Sequence, residues 1–149
     1  LTIEADGQIT FIETDNDEIV GWMDVNNKNF HWIGDIEYTG TISDVSDRRL
    51  KENLEEISNA SSRVEKLRGY TFNMREDENK TRQAGLVAQD VREVLPEAVS
   101  EIDEEGHLGL DYTQVVPLLV EAHKEQEEKI EELEKRVQEL EIESEVIFS

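Results

Sequence analysis

Apolar residues recur along this chain with two different periods. Up to about residue 42 they alternate with polar ones in short runs separated by turn formers, the period of strands. LTIEA, the dipeptide Asp6-Gly7 and QITFIET predict a hairpin, because Asp-Gly supplies the positive φ of a tight turn. DND at Asp15–Asp17 predicts a second turn, followed by EIVGWMDV, a turn at NNKN, and a strand segment within FHWIGDIEYTGTI. Trp22, Phe30, Trp32 and Tyr38 suit half-buried strand faces. A small β-meander is expected. Its apolar content is thin for a sheet of about 40 residues standing alone, so intertwining with copies of itself is expected too. His31, between two aromatics on a strand, reads as structural rather than catalytic.

From residue 46 the period changes. Leu50, Leu54, Ile57, Val64 and Leu67 fall at near-helical spacing, which predicts helix from Asp47 onward, with a break in the stretch from Asn59 to Ser62. Gly69 is the expected C′ stop. YTFNM alternates as a strand, and REDENKTRQ is too charged to be anything but a hairpin tip. AGLVAQDVREVLP passes from strand to helix and ends near Pro96. DEEGHLGLDYTQVVPLLVEA gives a turn, a short strand and the start of the last helix.

From Val116 the repeat becomes sevenfold. Val116, His123, Ile130, Val137 and Ser144 take position a, and Leu119, Gln126, Leu133, Leu140 and Ile147 take position d. Lys129 and Arg136 fall at g; Glu134 and Glu141 fall at the e positions that a parallel assembly sets beside them. A solvated charged helix is the competing reading, since EEKIEELEKRVQELE also makes good i,i+4 pairs. The agreement of stripe and charges favours a coiled coil over 116–147. Val and Ile at a with Leu at d lean toward two strands, whereas RVQELE, Arg136 to Glu141, fits the Arg-apolar-x-x-apolar-Glu pattern of three-stranded coils. His123 and Gln126 form adjacent polar layers that set register. A bound anion or a pH-sensitive layer is the alternative there, because protonated histidines around an axis repel.

Composition narrows the partners. The net charge is −22 over 149 residues, and Lys28 is the sole lysine or arginine before Arg48. That balance argues against nucleic-acid backbones and anionic membranes. No apolar run approaches the roughly 20 residues of a membrane span, and the first residues lack the basic and apolar regions of a signal peptide. A chain that opens on Leu1 reads as a piece of something longer. There is no cysteine, hence no disulfide or thiolate site; no metal and no cofactor is expected. With 35% charged residues and a mean hydropathy of −0.64, a large private core is not expected. Apolar faces are expected to be buried between chains instead.

The two halves meet at SDRRLK, Ser46 to Lys51. As plain structure, Ser46 is the N-cap of a helix that begins at Asp47, an acid the helix dipole favours in the first turn. As chemistry, a serine beside a lysine is a nucleophile with a general base, provided the amine is partly desolvated. Residues five apart on a helix lie about 140° apart. The two meet only if Ser46 stands outside the helix or the lysine comes from another chain. Spacing alone leaves both readings open.

SDRRLKENLEEI, VEKLRGYTFNM, AGLVAQDVREVLPEAV and GLDYTQVVPLLVEAHKEQ follow one another in this order. Together they resemble the intramolecular chaperone, self-cleaving domain at the C-terminus of bacteriophage tail fibres, tailspikes and neck appendages (peptidase family S74). The likeness covers about residues 43–130. Its most specific parts are the Gly-x-x-Ala-Gln-Asp block from Gly85 and the block that runs from Asp111-Tyr112-Thr113 into Pro117-Leu118-Leu119. A similar module occurs in a eukaryotic membrane-bound transcription factor; the strand-rich N-terminal part favours the phage setting.

The resemblance implies an α+β chain in an intertwined homotrimer: a β-rich fibre end over 1–45, then a helix and β-hairpin module over 46–149 that ends in a parallel three-stranded coiled coil. It implies a module that guides three chains together and then cuts itself off at Val45–Ser46, with Ser46 as nucleophile, Lys51 as general base and Asp47 in support. It implies synthesis in the bacterial host cytoplasm, a retained part in the virion and a released chaperone. The partners are the chain's own copies and its upstream fibre region; a host-surface glycan or receptor is a further expectation for the retained part. Many relatives carry an apolar residue where His123 stands and a histidine where Gln83 stands. Two other functions compete: a trimerisation tip that never cuts, and a receptor- or glycan-binding end on residues 1–42. Nucleotide binding lacks a Gly-rich phosphate loop. Action in trans is not expected of a nucleophile that adjoins its own substrate bond.

Overall fold

In the computed structural model, residues 2–3, 8–12, 19–24, 26, 29–32, 36–75 and 77–148 are described. The chain is α+β, with small antiparallel sheets and one long C-terminal helix. It divides into two units, Leu1–Lys51 and Glu52–Ser149.

In the first unit, β1 (Thr2–Ile3), β2 (Gln8–Ile12), β3 (Ile19–Asp24) and β4 (Asn29–Trp32) pair in chain order as an antiparallel meander. Register sets Phe11 opposite Gly21, Gly21 opposite Trp32 and Met23 opposite Phe30. Strand alternation therefore gathers these side chains on one face. The rings of Phe11, Phe30 and Trp32 meet there with centroids 6.0 to 6.1 Å apart. On the other face Trp22 and His31 stack at 4.0 Å, which engages the His31 ring in packing. The turns expected at Asp6-Gly7 and Asp15–Asp17 lie outside the described residues. The strand expected across FHWIGDIEYTGTI ends at Trp32. Residues 36–47 are in no strand, and Ile36, Tyr38 and Ile42 stay exposed: alternation alone does not make a strand without a neighbour to pair with.

The helix expected from Asp47 is not formed. A single 3₁₀ turn, Arg48–Leu50, occupies its start, and residues 51–58 contain no helix. Leu50 and Leu54 remain exposed, so their helical spacing has no core to face. The second unit then opens with α1 (Ala60–Val64), laid across the stretch where a break was expected. Asn59 is left-handed at φ 52° and turns the chain into α1, a conformation Asn tolerates better than most residues. Gly69 is no left-handed C′ stop; among the described glycines only Gly106 has positive φ.

Two hairpins follow. β5 (Tyr70–Phe72) pairs with β6 (Gln83–Gly85), then comes α2 (Ala88–Val94), then β7 (Val99–Glu101) pairs with β8 (Leu108–Leu110). The polar tip expected between β5 and β6 is there, with Asp77 accepting hydrogen bonds from the amides of Asn79 and Thr81 at 2.9 and 2.6 Å. β7 was not anticipated from sequence. Its hairpin closes through Gly106, at φ +81°, and through Asp103, which accepts from the His107 amide at 2.9 Å.

The last helix, α3 (Val115–Phe148), is continuous over 34 residues, about 50 Å. Pro117 falls in its first turn, where no intrahelical partner for an N–H is lost. Ala60, Val91, Val94, Leu95, Ala98, Val115, Leu118 and Ala122 form a small core at the root of α3. It is wholly aliphatic, as a polar chain with few large apolar groups to spare permits.

Candidate active site

The 3₁₀ turn folds the 46–51 stretch back on itself. The Asp47 carbonyl accepts from the Leu50 amide at 3.0 Å, and the Arg48 carbonyl accepts from the Lys51 amide at 3.1 Å. Asp47, not Ser46, is the N-cap: its carboxylate accepts from the Arg49 amide at 2.9 Å. Ser46 thus stands before the cap, and Lys51 leaves the turn in an extended conformation. The outcome is a direct contact. Lys51 Nζ donates to Ser46 Oγ at 2.8 Å, within one chain. This separation suits proton transfer in either direction.

Asp47 does not join that pair. Its carboxylate is taken by the Arg49 guanidinium, with Nε at 3.1 and 3.2 Å from the two oxygens and Nη2 at 2.6 Å from Oδ2. These side-chain bonds, with the Arg49 amide bond second, hold the Asp47 carboxyl below its ordinary range; the same contact raises the Arg49 guanidinium. Nothing in the spacing of SDRRLK singles out Arg49. Ser46 and Lys51 are exposed in the single chain, and Val45 is 81% exposed. A base role for the amine asks that water be excluded from this spot. Among the described residues no group of three or more His, Asp or Glu side chains is placed to hold a metal.

The residues expected at the trimer core lie on α3. Val116, Leu119, Ile130, Leu133, Val137 and Leu140 are each about half exposed, so their stripe is uncovered in the single chain. His123 is exposed as well, with Nδ1 3.9 Å from Glu127 Oε1, and Gln126 is exposed beside it. A different stripe of the same helix faces the chain's own core: Val115, Leu118, Ala122 and Glu125. The Glu125 carboxylate accepts from the Ala60 and Ser61 amides, both at 2.8 Å, and caps the short α1. Ser61 Oγ donates to the Ala122 carbonyl at 3.0 Å. Lys129 and Arg136 pair within the helix with Glu132 and Glu139, at 2.6 and 3.2 Å.

The two most distinctive sequence blocks meet in space. The Leu86 amide donates to Tyr112 Oη at 2.9 Å. A Cβ on Gly85 would strike that same hydroxyl, which is why a glycine stands there. Asp111 caps the turn under Tyr112, accepting from Thr113 N at 2.9 Å and Thr113 Oγ1 at 2.6 Å. The blocks form a joint between β6 and the root of α3.

Residues 46–100 match the family model described as chaperone of endosialidase, which supports a fibre-associated chaperone domain. Similarity to curated proteins reaches further along the chain. It is 41% identical over 98 residues to the long tail fiber protein Gp37 of Enterobacteria phage K3, covering 62% of this chain and 8% of that protein. It is 36% identical over 116 residues to Gp37 of Enterobacteria phage Ox2, covering 70% of this chain and 46% of that protein. The chain therefore spans less than half the length of these relatives.

Proposed function

We propose that the chain is the end of a phage fibre fused to its own folding helper, which associates as a parallel homotrimer and then releases itself at Val45–Ser46. The observation that carries this reading is the 2.8 Å contact of Lys51 Nζ with Ser46 Oγ, at the residue where the family match begins. The tail-fibre relatives favour a retained part that stays with the virion. The uncovered heptad stripe of α3 gives three chains a shared axis.

The chemistry runs within one chain. Lys51, as the free amine, takes the proton of Ser46 Oγ, which attacks the Val45 carbonyl carbon through a five-membered ring. The C–N bond breaks, the Ser46 nitrogen takes up the proton, and an ester joins Val45 to Ser46 Oγ. Water then hydrolyses the ester, leaving a carboxylate on Val45 and a free amino group on Ser46. Nucleophile and scissile bond adjoin in sequence, so proximity supplies much of the acceleration. Because Ser46 and Lys51 are exposed in a lone chain, neighbouring chains supply the cover that frees the amine, and cleavage follows assembly.

Intact mass under denaturing conditions, on fresh and aged protein, tests this. Fragments that end at Val45 and begin at Ser46 are expected, and are expected to vanish in Ser46→Ala and Lys51→Met. An Ser46→Ala chain that still cuts at this bond overturns the mechanism. A wild-type chain that assembles yet never cuts leaves a purely structural trimerisation tip, a reading favoured by the exposure of both side chains.

A further inference from the structure

One position from Ser46 and four from Lys51, Asp47 is a second claimant for the lysine. A carboxylate is a stronger acceptor for an ammonium than a neutral hydroxyl, so Asp47 ought to win Lys51 from Ser46. It does not, because Arg49 closes on it with three side-chain contacts between 2.6 and 3.2 Å. Lys51 is left 2.8 Å from the serine. As a contribution to stability this pair is weak, since the Arg49 side chain is 87% exposed. Its consequence lies in where it leaves the charges.

We propose that Arg49 is a positioning residue for the self-cleavage: by holding the Asp47 carboxylate it keeps that charge off Lys51 and leaves the amine to Ser46. This rests on the self-cleavage reading above. A carboxylate ion-paired to the lysine would do two kinds of harm. It would pull Nζ away from Oγ, and it would favour the charged amine, which is unable to accept a proton. Arg49 also braces the Asp47 cap, and with it the 3₁₀ turn that sets the distance between the pair. The two contributions are separable, because a neutral Asn at position 47 keeps a side-chain oxygen for the cap but has no charge to offer Lys51.

The test is the rate of appearance of the Ser46-initiated fragment in the 149-residue chain, followed by intact mass across a pH series. Far-UV circular dichroism checks that each variant is folded. Arg49→Ala is expected to cut about ten- to a hundredfold more slowly, with the rise of rate shifted to higher pH. Arg49→Lys should keep most of the rate. Asp47→Asn combined with Arg49→Ala should recover much of what Arg49→Ala loses, and return the rise toward its wild-type pH. A purely structural brace gives no such rescue, so a slow Arg49→Ala chain that Asp47→Asn leaves slow overturns the proposal. So does an Arg49→Ala chain that cuts at the wild-type rate. A wild-type chain that never cuts, in a preparation that assembles, overturns the self-cleavage reading itself and the role of Arg49 with it.

Discussion

Single residues in this chain are explained by what would otherwise occupy their space. Gly85 is the clearest, because the Tyr112 hydroxyl lies where its Cβ would be and Phe72 Cε1 stands 3.4 Å from the same point. Gly85→Ala is expected to destabilise the second unit by about 1–3 kcal/mol, the usual cost of overpacking, measured by urea unfolding. Tyr112→Phe alone costs the hydrogen bond to the Leu86 amide. Combined, the two changes should cost less than their sum, since the phenyl ring removes the atom the new methyl strikes. The sequence made these residues conspicuous as parts of two family blocks but did not say that the blocks touch. The pairing of Ser46 with Lys51 was legible as a possibility only. Spacing posed the pair, and the 3₁₀ turn that closes it depends on the Asp47 cap, which sequence reasoning assigned to Ser46.

At the level of elements, what could be read depended on where each one finds its partner. α3 announced itself by periodicity over its whole length. α1 did not, because it is five residues long and its first two amides are satisfied by Glu125, far along the chain. That tie has a pH dependence. Hydrogen bonds from the Ser61 amide first, and the Ala60 amide next, hold the Glu125 carboxyl below its ordinary value of 4.5. The stabilisation is therefore complete above about pH 4.5 and is lost as pH falls through the lower, folded-state value. The Ala60 and Ser61 amide shifts should titrate together below that pH in a two-dimensional NMR series, and Glu125→Gln should abolish the titration. Similarly, β7 was missed because its hairpin is set by Asp103, Gly106 and the amide of His107 rather than by a hydrophobic run. The first part of the helical reading from Asp47 failed for the converse reason: the period was present, but Leu50 and Leu54 are exposed rather than packed.

Over the whole molecule, one helix carries two separate apolar stripes, one buried and one about half exposed. Leu118 is fully buried against the chain's own core, whereas Leu133 is 53% exposed. Leu118→Ala is expected to cost about 3 kcal/mol at any protein concentration. Leu133→Ala should cost a lone chain almost nothing and lower the thermal midpoint only where chains associate. Denaturation at several concentrations separates the two, and equal losses at every concentration would remove the case for an interchain stripe. The hydrogen bonds between α3 and α1 reach as far along the helix as Glu125. Beyond it the helix has acidic flanks, ion pairs one turn apart and an apolar stripe that is about half exposed. An isolated helical stretch of that kind is only marginally ordered in water. Under the proposed assembly its ordering and the meeting of chains become a single event, so the far half of α3 would act as a census of its own kind. On that proposal a solitary chain would leave it frayed, and only a complete set of copies would make it rigid.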